Sequence, residues 1–69
     1  MPITLGQLVR EARLRAGNMT QRELAKLVGT SMENITSIEN ARNKQPSPEI
    51  VAGLSKYLDI EIADLYAAM

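Results

Sequence analysis

Most side chains in residues 31–44 can form hydrogen bonds or ionic contacts, and Gln21 and Arg22 precede that stretch. The chain contains no histidine and no cysteine, which excludes imidazole acid–base chemistry and the usual zinc sites. The serine and threonine hydroxyls have no neighbouring base to activate them, and no pair of carboxylates marks a pocket. These residue types therefore predict binding through hydrogen bonds and charge, with no enzyme activity, metal or cofactor.

Charge is balanced in total but uneven along the chain. Eight basic and eight acidic side chains give a net charge of +0, yet residues 1–44 carry a net +3 and residues 45–69 a net −3. One interpretation is a dipolar molecule with a basic face for a polyanion, and the other is chance segregation of few charges.

Length and composition predict one small domain over residues 1–69. No apolar run could span a membrane, and Met1–Thr4 shows no basic region before an apolar core, so we expect a cytoplasmic protein. Aromatic residues make up 3% of the chain, without Phe or Trp, which removes the stacking platforms of single-strand binders.

Apolar spacing indicates helices throughout, in five segments separated by breaks at about residues 17–18, 29–30, 40–47 and 59. The sequence therefore predicts a compact all-α fold of five helices. The predicted apolar faces are Leu5, Leu8, Val9, Ala12 and Ala16 in the first segment, Leu24, Ala25, Leu27 and Val28 in the second, and Ile50, Val51, Leu54, Tyr57 and Leu58 in the fourth.

Local signals mark where these helices begin and end. Thr20 with Glu23 fits a capping box, and Ser31 and Ser47 fit N-caps, the latter followed by Pro48. Gly29 and the glycine at position 17 suit left-handed helix stops. The third segment is unusual, because only Ile35 and Ile38 are clearly apolar and inward-facing. Such a helix buries a narrow stripe and leaves a broad polar face for a partner.

Three runs carry a family resemblance: TQRELA at 20–25, GTS at 29–31 and ITSIEN at 35–40. This pattern resembles the helix-turn-helix of phage lambda repressor-like and Xre-type transcriptional regulators, placed here at about residues 21–39. The fourth segment and the DIEIADL run at 59–65 are also similar to that family. The resemblance implies a compact five-helix lambda repressor-like DNA-binding domain.

The resemblance also implies roles for individual residues. The third helix would enter the major groove, Gln21 would contact a phosphate and brace that helix, and Arg13 and Glu39 would form an internal salt bridge. Asn34 is a further implied contact. The implied DNA-binding residues are Gln21, Arg22, Ser31, Met32, Glu33, Thr36, Ser37, Asn40, Arg42, Asn43 and Lys44.

The implied partner is double-stranded DNA. We expect a repressor that binds as a homodimer to an inverted repeat, with half-sites about 34–36 Å apart, and that is nucleoid-associated when bound. Four apolar residues near the C-terminus are candidates either for a dimer surface or for the core: Ile62, Leu65, Tyr66 and Met69.

Other interpretations of the same residues stay open. Gln21 fits an ordinary first-turn helix former, Arg42 and Lys44 fit a solvated loop, and Met32 and Glu33 fit a helix face that makes no contact. The third segment lacks Arg, Lys and Gln. This favours a second hypothesis, a protein-interaction module of the same fold, such as an antitoxin or a regulatory subunit, whose DNA binding is weak or depends on a partner.

Two further departures from the family pattern concern loops. Ala41 stands where a glycine usually follows Glu-Asn, which predicts a changed backbone path after the third helix. The loop at residues 17–19 is one residue longer than usual.

Overall fold

The computed structural model describes residues 3–69, and it confirms the predicted five-helix, all-α fold over that range, with no strand among them. Met1 and Pro2, the first residues of the segment without a leader pattern, lie outside the described residues. The helices are α1 (Leu5–Arg15), α2 (Gln21–Val28), α3 (Met32–Glu39), α4 (Pro48–Leu58) and α5 (Ile62–Ala67).

The helix starts follow from local side-chain chemistry. The Thr20 hydroxyl accepts from the Glu23 N–H at 3.0 Å, and the Glu23 carboxylate accepts from the Thr20 N–H at 3.2 Å. This confirms the predicted capping box, and the predicted N-caps Ser31 and Ser47 are confirmed as well. A second capping box, between Thr4 and Gln7, starts α1. This capping box was not predicted, although its signal, a threonine three residues before a glutamine, is local.

Two of the helix ends depend on backbone that favours glycine. Gly29 ends α2 with φ +84°, and the glycine that follows α1 at position 17 has φ +88°, both in the left-handed region. Asp59 ends α4 in the same region with φ +55°, where a short polar side chain is tolerated. The predicted breaks at about residues 17–18, 29–30 and 59 therefore coincide with left-handed residues that follow α1, α2 and α4.

All five helices contribute to one hydrophobic core. Three residues predicted for it are exposed instead, namely Ala16, Leu27 and Tyr57. Leu27 and Tyr57 lie at the margins of the apolar stripes of α2 and α4, and Ala16 lies one residue beyond the end of α1, so the helical period overestimates the buried stripe. The buried residues are Leu5, Val9, Ala12, Leu24, Ala25, Ile35, Ile38, Val51, Leu54, Leu58, Ile60 and Leu65.

The apolar residues near the C-terminus divide between core and surface. Leu65 is fully buried and Met69 packs partly buried against the core, so Leu65 is wrong as a candidate for a dimer surface. Ile62 and Tyr66 are 44% and 49% exposed. Across residues 3–69, no helix has the length and apolar character that crossing a bilayer requires.

One close backbone approach fixes α3 on α1. A Cβ atom at Gly6 would lie 2.5 Å from the carbonyl oxygen of Glu39 and 2.6 Å from that of Ile38. Only glycine fits this contact without a shift of the backbone. The C-terminal end of α3 is therefore seated directly on the first turn of α1.

Candidate nucleic-acid interface

A tight turn joins α2 to α3. The N–H groups of Gly29 and Thr30 both donate to the carbonyl of Ala25 at 2.9 Å, which closes the end of α2. Ala25 itself is buried, as expected for a small residue where α3 packs across α2. After this turn Ser31 caps α3, its hydroxyl accepting from the Asn34 N–H at 3.1 Å.

The two sides of α3 differ sharply in chemistry. Ile35 and Ile38 are fully buried and anchor the helix in the core, as predicted. At about 100° of rotation per residue, Glu33, Ser37 and Asn40 lie together on the opposite side. Glu33 and Asn40 are exposed and Ser37 is half-buried. This polar side of α3 is what a macromolecular partner would meet.

Gln21 borders one edge of that face. Its Nε2 donates to Oε1 of Glu39 at 3.2 Å, and its Oε1 accepts from the Thr36 hydroxyl at 2.9 Å. The same hydroxyl lies 3.0 Å from the carbonyl of Met32, so its hydrogen is shared between the two oxygens. Because both ends of the Gln21 amide have partners on α3, the start of α2 is held in a fixed orientation beside it.

An ion pair lies behind the Gln21 contact. Nε of Arg13 donates to Oε2 of Glu39 at 2.8 Å and a second guanidinium nitrogen donates to Oε1 at 3.0 Å, which confirms the internal salt bridge that the resemblance implied. The side chains are only 11% and 4% exposed. Arg13 also donates to the carbonyl of Met19 at 2.6 Å. These contacts tie the end of α3 to α1 and to the loop before α2.

The loop after α3 borders the other edge of the polar face. The N–H groups of Arg42 and Asn43 both donate to the carbonyl of Ser37, at 2.9 and 3.0 Å, so the chain turns back alongside α3. The side chain of Asn43 then donates to Oδ1 of Asn34 at 3.0 Å. Arg42 and Lys44 are exposed on either side of Asn43.

Ala41 begins this loop in a left-handed conformation, with φ +62°. The sequence predicted that replacing the family glycine would change the backbone path. That difference from the family stays a prediction. The alanine itself adopts a left-handed conformation of the kind that glycine favours, and its Cβ makes that conformation costly.

The residues predicted from the resemblance form a continuous region around α3. Gln21, Thr36, Ser37 and Asn43 are half-buried, and three of these four use side-chain groups within the protein. Sequence reasoning missed the Thr30 hydroxyl, which accepts from Nδ2 of Asn34 at 3.0 Å. No local pattern signals that contact. The exposed predicted residues are Arg22, Ser31, Met32, Glu33, Asn40, Arg42 and Lys44.

Comparison with known proteins identifies the family. A family model described as helix-turn-helix matches residues 9–65, which is most of the chain. The chain belongs to the Xre and lambda repressor-like helix-turn-helix family. Neither the curated proteins nor the solved structures gave a significant match.

Membership of this family establishes the general function of the chain. The helix-turn-helix proteins of this family are DNA-binding regulators and are not typically enzymes. This chain is accordingly a DNA-binding protein of transcription regulation whose partner is double-stranded DNA. The matched segment extends from α1 into α5, so it includes the buried ion pair and the loop after α3 as well as the two helices of the motif.

Proposed function

We propose that residues 1–69 act as one DNA-binding domain that reads the major groove with α3 and represses transcription. The observation that carries this proposal is the arrangement around α3. Ile35 and Ile38 anchor one side, the opposite side is polar, and that side is bordered by Gln21 at one edge and by the loop with Arg42 and Lys44 at the other.

This arrangement fits the shape of a DNA duplex. A helix in the major groove has a sugar–phosphate backbone on each side, and hydrogen bonds to those phosphates position the protein while base contacts specify the sequence. We assign Glu33, Ser37 and Met32 to the bases. Gln21, at the first position of α2, lies where free helix amides favour an anion. Arg22, Ser31, Thr36, Asn40 and Asn43 complete the proposed contact region.

Glu33 is the side chain that we expect to contribute most to base specificity. A carboxylate cannot contact a phosphate favourably, but it accepts a hydrogen bond from the N4 amino group of cytosine. Glu33 is exposed at the second position of α3, next to Met32, whose side chain is 38% exposed and can make apolar contact with a thymine methyl.

The loop cations should supply part of the affinity for any sequence. Replacing Arg42 or Lys44 by alanine should weaken binding to all duplexes and reduce the slope of log K against log salt by about 0.9 per lost phosphate contact. The measurement is a fluorescence-anisotropy titration at several salt concentrations. Lys56→Ala removes one exposed cation from α4, which lies outside the proposed contact region. This variant should leave the slope unchanged and serves as the control. An unchanged slope in both loop variants would remove the loop from the interface.

The proposed form on DNA is a homodimer. A single module of this size buries about 600–1,000 Å² of protein surface on DNA, which is the low end for a specific interface. The exposed side chains of Ile62 and Tyr66 provide an apolar surface on α5 for the second copy. Repression needs only occupancy of the site, and we place the protein in the cytoplasm, on the nucleoid when bound.

Selection of bound sequences from a random duplex pool tests the proposal. At about 50 mM salt, where phosphate contacts are strong, we expect enrichment of a two-fold symmetric site with half-sites one helical turn apart. Enrichment of an asymmetric site would contradict the homodimer and leave groove reading intact. Retention without enrichment, or no retention, would contradict sequence-specific reading.

One observation favours a second candidate function. The polar face of α3 carries the Glu33 carboxylate and no cation, and the protein has a net charge of +0. This composition suits a protein partner with a basic surface, as in an antitoxin or a regulatory subunit. A stable partner that co-purifies, together with a failure to retain duplex DNA, would support this candidate.

A further inference from the structure

The side-chain amide of Asn34 has a partner at each end. Nδ2 donates to the Thr30 hydroxyl at 3.0 Å, and Oδ1 accepts from Nδ2 of Asn43 at 3.0 Å. Asn34 is half-buried at the edge of the polar face of α3, on the side of the following loop. Its amide is therefore engaged within the protein, in contrast to the exposed side chain of Glu33 beside it.

Asn43 extends this contact into the loop. Its Oδ1 accepts from the N–H of Gln45 at 3.3 Å, and its own N–H donates to the carbonyl of Ser37. The loop is thus attached to α3 at two points one helical turn apart, through main chain at Ser37 and through a side chain at Asn34. The attached residue, Asn43, stands between the two exposed cations Arg42 and Lys44.

We propose that Asn34 is a positioning residue of the interface. By holding Asn43, it fixes Arg42 and Lys44 relative to the base-facing side chains of α3, so that phosphate and base contacts form in one register. This role rests on the proposed function, and it differs from the direct base contact that the resemblance suggested for this position.

The local chemistry of α3 separates this role from helix stability. The N-cap bond from Ser31 uses the main-chain N–H of Asn34, which a substitution keeps. Alanine is also a better helix former than asparagine, so Asn34→Ala should not weaken α3 itself. Any loss that this variant shows at the loop therefore comes from the lost amide contacts.

The free protein provides the first test. In Asn34→Ala, we expect amide hydrogen exchange at Arg42 and Asn43 to speed up about five- to tenfold, the factor expected for loss of one hydrogen bond. Heteronuclear relaxation at residues 42–44 should show increased motion. Asn34→Asp is the matched variant, because its carboxylate still accepts from Asn43 and can accept from the Thr30 hydroxyl, to which the asparagine donates. Its exchange rates should stay near those of the wild type. Unchanged exchange in Asn34→Ala would overturn the proposal.

DNA binding provides the second test. On the duplex that the wild type prefers, Asn34→Ala should bind more weakly, with a reduced salt slope and an unchanged base preference at every position. In that background, Arg42→Ala should cost less affinity than it does in the wild type. Relaxed preference at a single base pair with an unchanged slope would assign Asn34 to a base and overturn the proposal.

The two tests distinguish a failure of the proposed function from a failure of the proposal for Asn34. A wild-type protein that retains no duplex would overturn the proposed function, and with it any role of Asn34 in DNA binding. The exchange experiment would then still decide whether Asn34 holds the loop.

Discussion

Replacing Ala41 by glycine should stabilise the protein. Ala41 has φ +62°, and the left-handed conformation costs an L-residue with a Cβ about 1–2 kcal/mol. Glycine removes that cost but adds about 0.4–1 kcal/mol of conformational entropy to the unfolded chain. The side chain of Ala41 is exposed, so its loss opens no cavity in the core. The difference between these ranges spans about 0–1.6 kcal/mol, and we expect a gain near its middle, about 0.5–1 kcal/mol, in the free energy of unfolding.

Thermal and urea denaturation measure this gain. For a domain of about 60–100 residues, 1 kcal/mol shifts Tm by about 4–8 °C, so Ala41→Gly should raise Tm by about 2–8 °C. The same substitution at Ala52, an exposed position inside α4, should lower stability by about 0.5–1 kcal/mol. Asn18→Gly is a second control, because asparagine tolerates its φ of +57° and the gain should be smaller.

The directions of the Tm changes in Ala41→Gly and Ala52→Gly decide whether the turn at Ala41 is strained. A glycine at 41 that leaves Tm unchanged or lowers it, while the glycine at 52 lowers Tm as expected, would refute the argument that the turn is strained.

Two further predictions concern how α3 is seated. Gly6→Ala should destabilise by about 1–3 kcal/mol, because its Cβ would meet the main-chain carbonyl of Glu39 at 2.5 Å. Gly53→Ala should be close to neutral, because the closest atom to its Cβ would be a side-chain methyl of Val28 at 3.0 Å and the main chain of Val28 would lie at an ordinary contact distance of 3.5 Å. Equal urea midpoints for both variants would contradict this. Glu39→Ala should cost about 3–5 kcal/mol by leaving Arg13 buried without its partner. Circular dichroism should show a largely unfolded protein at 37 °C, and a cooperative transition near that of the wild type would show that the pair contributes little.

Features encoded by neighbouring residues could be predicted from the sequence. The Thr20 capping box, the Gly29 stop and the Ser47–Pro48 start each depend on residues at most three positions apart, and all three are confirmed. The inward faces of Ile35 and Ile38 follow from helical period alone. The family resemblance supplied the two long-range contacts that were predicted, namely the salt bridge over 26 positions and the contact of Gln21 with α3.

Features that depend on how segments meet in space could not be predicted. The requirement for glycine at position 6 arises only where α1 touches the carbonyls at the end of α3. The exposure of Tyr57 depends on how much of the apolar stripe of α4 the neighbouring helices cover, which the apolar period of α4 does not contain. The contact between Asn34 and Asn43 depends on a loop that turns back along α3, and residue type alone would suggest two free amides.

The central claim is that α3 reads bases, and Glu33 offers the most direct test. Glu33 and Glu49 are matched, because each is exposed at the second position of a helix that a serine caps. Changing either to glutamine removes one negative charge and otherwise keeps the shape of the side chain. Only the residue that faces bases should change which duplex is preferred.

The measurement is selection from a random duplex pool with the wild type and with each variant. Glutamate accepts from cytosine N4, whereas glutamine pairs with adenine N6 and N7, so Glu33→Gln should shift preference toward adenine at one position in each half-site. Glu49→Gln should keep the wild-type preference. An identical preferred site for Glu33→Gln and the wild type would contradict the assignment of α3 to the major groove.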